Sequence, residues 1–130
     1  MNKSIPFSYP RRGLNGTFNT FRLGNSWATK LTRSEVVDLI DAKTKRVLLR
    51  ATVIGVFTGP MRELATRHAR WAHNWTEHPA DQRADLLVAS MLRRFAHWGP
   101  ARCSETAICS TIYLREIEND PQHHQAINTA

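Results

Sequence analysis

Two β-branched runs, Val36 to Ile40 and Val47 to Phe57, flank the polar stretch Asp41-Ala42-Lys43-Thr44-Lys45, and this arrangement limits the fold more than any other feature. Val, Ile and Thr suit a half-buried pleated surface, while an Asp opening a short connector bonds its own backbone in a turn. A β-hairpin is therefore expected. Gly55 inside the second run predicts a bulge or bend, the feature that lets a sheet curl. A chain of 130 residues with 42% apolar content can bury one core, so it is read as one domain.

The remaining elements follow from periodicity. Phe18 and Thr20 alternate with Asn19 and Phe21, which predicts a short strand over Thr17 to Arg22, with a turn at Gly24-Asn25. Trp27, Ala28 and Leu31 suit one helical turn. Thr58-Gly59-Pro60 reads as a break, with Thr58 capping a helix whose apolar face is Met61, Leu64, Ala65, His68, Ala69, Ala72 and Trp75. A second helix is expected from Pro79 to about His97. It turns Leu87, Val88, Met91, Leu92 and Phe95 inward and Asp81, Arg83, Asp85, Arg93 and Arg94 outward, and Gly99-Pro100 stops it. Thr106 to Leu114 reads as a closing strand. Residues 1–13, with two prolines and the Arg11-Arg12 pair, read as an arm outside the core, residues 14–116 as the domain, and residues 117–130 as a polar tail.

The charge balance points to a partner. Eighteen Lys and Arg against eleven Asp and Glu give a formal charge of +7. Each phosphate met by such a cation releases counterions, so a polyanion is the natural ligand, with solvated surface charge as the plain alternative. Apolar stretches are only a few residues long and fall far short of the ~20 needed to cross a bilayer. The start lacks the apolar run of a secretory signal. Cys103 and Cys109 are too few for a disulfide framework and read as small buried hydrophobes. A cytoplasmic setting without membrane contact is expected.

Catalytic signatures are sparse. His68 and His73 are five apart, which puts them roughly 140° apart on a helix, and no HExxH or CxxC accompanies them. Neither a metal nor another cofactor is expected. A nucleophile elbow, a Walker A loop and a GxGxxG fingerprint are all absent. What remains is cations interleaved with aromatics: Arg22, Asn25, Trp27 and Lys30 near the first turn, and Arg67, Arg70, Trp71 and Trp75 on the first long helix. Such mixtures bind single-stranded nucleic acid, bases stacking on aromatic or guanidinium planes while cations meet phosphates. Trp75 lies on the apolar stripe and is expected in the core; Trp27 and Trp71 divide evenly between core and stacking roles.

The order of parts resembles the ASCH domain family: a strand ending Phe-Arg, a basic segment, a hairpin, a helix with Glu-Leu-Ala-x-x-His, a second helix, and a strand ending Ile-Tyr-Leu. The stretch Phe-Arg-Leu-Gly-Asn-Ser-Trp-Ala-x-Lys-Leu, residues 21–31, is similar to ASCH-like proteins of bacteriophages and prophages. The resemblance covers Leu14 to Glu116 and implies an α+β fold: a small PUA-like β-barrel with two main helices packed on it. It implies RNA or nucleotide binding in a cleft between barrel and helices. Some members hydrolyse modified nucleosides or cut single-stranded RNA. Against the family signature Gly-x-Lys-x-x-Glu-x-Arg, Asn15 to Arg22 keeps Arg22; Thr20 takes the glutamate position, as in the amidohydrolase members, and Thr17 replaces their lysine. No glutamate stands around His68 to Asn74 to match their acidic residue.

Three functional expectations result. The first is an RNA-binding module, with Arg22, Asn25, Lys30, Arg67 and Arg70 meeting phosphates or base edges and Trp27 or Trp71 stacking; DNA is a possible substitute. The second is a metal-independent ribonuclease or nucleoside amidohydrolase, in which Thr20, Lys30 or Tyr113 moves the proton and Arg22 steadies developing charge. The third is a phage protein that binds an acidic host protein through its basic surface.

Overall fold

In the computed structural model, which describes residues 2–8, 14–73 and 78–117, the predicted hairpin forms from β3 (Val36–Asp41) and β4 (Val47–Pro60), paired antiparallel. The Asp41 carboxylate holds the connector by accepting from the amides of Lys43 at 2.8 Å and Thr44 at 3.3 Å. Gly55 marks an irregularity where β4 shifts register against β5 (Ile108–Glu116). The other strands are β1 (Lys3–Phe7) and β2 (Thr17–Leu23). Sheet order is β1-β3-β4-β5-β2, with β1 parallel to β3 and every other pair antiparallel.

The helical elements are α1 (Ser26–Lys30), α2 (Met61–His68) and α3 (Ala80–Arg94), with single 3-10 turns at Ala69–Trp71 and Ala96–Trp98. The chain is thus α+β. Among the described residues the sheet is five-stranded and mixed and its outer strands, β1 and β2, are not paired with each other, so the closure expected of a barrel is not seen.

Three expectations are corrected. The segment placed in an arm supplies β1, with Ile5 and Phe7 buried. Pro6 made it read as a loop, yet an outer strand tolerates a residue with no N–H. The Arg11-Arg12 pair lies outside the described residues. Second, Thr58-Gly59-Pro60 is not a break, because these residues pair with Ser110, Cys109 and Ile108; Pro60, not Thr58, is the cap of α2, and it makes no side-chain cap bond. Third, α2 stops at His68 instead of running on towards Trp75, which lies outside the described residues. Asn19 Nδ2 donates to the His68 carbonyl at 2.9 Å, and Asn19 forms an isolated bridge with Ala72. The acceptor that the next helical turn needs is thereby taken.

β2 joins two cores. Phe18 lies in a cluster drawn from all five strands, with Ile5, Leu39, Val53 and Leu114 among its members. Phe21 and Leu23 have the opposite parity and pack against a second cluster that carries Met61 and Leu64 of α2 with Leu87, Val88 and Met91 of α3. Strand alternation therefore sends Thr20 and Arg22 to the side of Phe18 and Asn19 to the side of the helices. Cys103 and Cys109 are both buried and unbonded to each other. Among the described residues no helix is long and apolar enough to cross a membrane.

Candidate functional site

A pocket of about 260 Å³ opens where the end of β1, strand β2 and helix α3 meet, and Ala72 and His73 close another side. β2 contributes Thr20, Phe21 and Arg22, and α3 contributes Leu87, Ser90, Met91 and Arg94. Those four α3 residues share one helix face by their three- and four-residue spacing. Its size suits one small ligand group rather than a large cofactor.

Arg22 dominates the pocket's electrostatics. Its Nη1 donates to the Pro6 carbonyl at 2.6 Å, and its guanidinium lies 4.6 Å from the centre of the Phe7 ring. Its Nε is buried and has no hydrogen-bond partner among the described residues. Burial, and secondarily the positive charge of Arg94, lowers its pKa to about 10. No carboxylate lines the pocket among the described residues, so two guanidinium groups share it without a counter-charge. The two cations repel and burial adds a desolvation cost for Arg22, and a bound anion relieves both.

A separate polar cluster occupies the helix side of the sheet. His68 Nδ1 and the Tyr113 hydroxyl are 2.7 Å apart, and Phe57 stacks on the His68 ring at 5.2 Å. Burial and the neighbouring Arg67 hold His68 below the usual histidine pKa, and burial raises the Tyr113 phenol. Tyr113 lies opposite Asn19 in the ladder and is absent from the pocket lining.

The predicted site residues therefore separate. Arg22 and Thr20 line the pocket together. Tyr113 does not line it, and Lys30 belongs to α1, where its ammonium lies 4.9 Å from the Trp27 ring and its carbonyl accepts from Lys3. The three candidate proton-transfer residues do not converge. Trp27 is partly buried against the first core, and Asn25 is exposed just before α1. Arg67 is exposed and paired with Glu63 at 3.1 Å. Arg70 lies 5.3 Å from the ring of Trp71, which is 51% exposed, so Trp71 is a surface aromatic. Sequence reasoning missed His73 and Ser90 as lining residues and placed Arg94 outward. The shared face of Leu87, Ser90, Met91 and Arg94 was the available signal. Among the described residues, no group of three or more His, Cys, Asp or Glu could hold a metal ion.

No family model matches the chain, and no curated protein matches it. Its fold is similar to the crystal structure of protein EF3133 from Enterococcus faecalis V583, assigned to the family model DUF984. The TM-score is 0.56 at 8% identity, covering 89% of this chain and 67% of that one. That likeness shows a shared α+β fold.

Proposed function

We propose that the protein binds RNA, single-stranded or as a free nucleotide, and that the pocket between β2 and α3 takes its phosphate. The observation that carries the reading is Arg22, a guanidinium beside Arg94 whose buried Nε has no partner and whose pocket has no lining carboxylate among the described residues. A phosphate oxygen supplies the missing acceptor and the missing charge together. The overall +7 charge draws a polyanion towards it. Exposed Trp71, with Arg70 over its ring, offers a plane for an unpaired base. Binding is preferred to hydrolysis because Thr20 lines the pocket without Lys30 or Tyr113. The likeness to an ASCH or PUA-like module and to phage proteins stays part of this proposal.

The test is a fluorescence-anisotropy titration with labelled single-stranded RNA, duplex RNA and DNA at two salt concentrations. Salt-sensitive binding that favours single-stranded RNA supports the reading. Failure to bind any nucleic acid or nucleotide, with retention of an acidic peptide, would replace it by the acidic-protein alternative.

A further inference from the structure

The last turn of α3 places Arg94 at the pocket with its guanidinium 5.6 Å from the ring of Phe95, which also lines the pocket. The chain then makes the 3-10 turn Ala96–Trp98, in which the Trp98 amide donates to the Phe95 carbonyl at 2.9 Å. A 3-10 rise of ~2 Å per residue carries Trp98 about 6 Å along the axis from Phe95. Trp98 is 48% exposed and belongs to neither core.

Gly99, at φ 84°, reverses the chain, and its carbonyl accepts from the amides of Arg102 at 3.2 Å and Cys103 at 2.9 Å. Buried Cys103 fastens this loop back to α3, its thiol donating to the Met91 carbonyl at 3.4 Å. The result is a fixed position for Arg102, with its guanidinium 5.6 Å from the Trp98 ring. Residues 86–104 contain three arginines and no Asp or Glu. A half-exposed indole with a guanidinium over it, on a segment without Asp or Glu, suits a nucleotide, whose base stacks while its phosphate meets the cation. An acidic peptide would match the arginines but leave the indole unused.

We propose that Trp98 and Arg102 form a second, base-stacking subsite, which takes the nucleotide next to the one whose phosphate sits between Arg22 and Arg94. This rests on the RNA-binding reading and adds a length requirement to it: one nucleotide fills the pocket, and two are needed to reach Trp98.

Titration calorimetry of the full chain with uridine monophosphate, diuridylate and tetrauridylate tests it. Affinity rises at least five-fold from one nucleotide to two. Trp98→Ala abolishes that gain, a loss of roughly five- to a hundred-fold for one base–aromatic stack, while its mononucleotide affinity equals wild type. Trp98→Phe keeps most of the gain, and Arg102→Ala weakens the dinucleotide more than the mononucleotide. A length gain that survives Trp98→Ala, or no gain in the wild type, overturns the subsite and leaves the pocket reading standing. Failure to bind any of the three ligands overturns both.

Discussion

The Arg22 guanidinium donates to the Pro6 carbonyl at 2.6 Å and so ties β2 to β1, the two outer strands that the ladder leaves unpaired. One side chain thus links the outer strands and lines the pocket. Arg94 lines the pocket and is exposed overall. The two arginines therefore respond differently to truncation. Arg22→Ala lowers stability by about 1–3 kcal/mol, as expected for a lost charge-assisted bond, and abolishes RNA binding. Arg94→Ala leaves urea denaturation within about 0.5 kcal/mol of wild type, yet weakens RNA binding and lowers the slope of log K against log salt by about 0.7.

The N-terminal segment is structural. Ile5 is fully buried and pairs with Leu39 in the parallel β1–β3 ladder. Ile5→Ala therefore costs about 2–5 kcal/mol, measured by chemical denaturation. A substitution within about 0.5 kcal/mol of wild type would return the segment to an arm.

His68 gives the fold an acid-side sensitivity. Burial lowers its pKa below the ordinary 6.5, so between the folded value and 6.5 the unfolded chain binds more protons. Its contribution to stability is fully present above pH 6.5 and is lost as pH falls through the folded value. Stability measured at pH 7.5 exceeds that at pH 5.5, and His68→Gln reduces the difference. Tyr113→Phe removes the hydroxyl partner at 2.7 Å and costs about 1 kcal/mol. RNA affinity is unchanged in that variant, because Tyr113 does not line the pocket.

Cys109 is fully buried, and burial together with the neighbouring Cys103 raises its thiol pKa to about 11. Alkylation by iodoacetamide at pH 8 is therefore negligible in the native protein and complete in denaturant, as mass spectrometry of the Cys109 peptide shows. Modification at native rates equal to denatured rates would contradict its placement.

Legibility in the sequence followed the strength of local signals. The Asp-led hairpin, the Gly55 irregularity and the single turn before Leu31 each rest on interactions within a few residues, and each stands as expected. The second helix, expected to run to about His97, ends at Arg94, and a 3-10 turn, Ala96–Trp98, follows before Gly99. β1 was hidden because five residues containing a proline look like a loop until β3 supplies a parallel partner 34 positions on. The early end of α2 was equally illegible, since it depends on Asn19, distant in sequence, bonding the His68 carbonyl. Arg22 stood out among the cations and aromatics near the first turn, whereas its companion Arg94 looked like ordinary surface charge. Only the folded chain sets the two at one pocket.

The central claim is that Arg22 and Arg94 receive a phosphate of single-stranded RNA, and the most direct measurement is the NMR signal of the Arg22 Nε–Hε group. Buried and without a partner among the described residues, that group gains an acceptor on binding. Addition of a short single-stranded RNA moves the Arg22 Nε–Hε cross-peak with the occupancy of the complex, and Arg94→Ala suppresses the shift. An unmoved Arg22 cross-peak in a saturated complex, with the perturbations gathered instead around Trp27 and Lys30, would contradict the account.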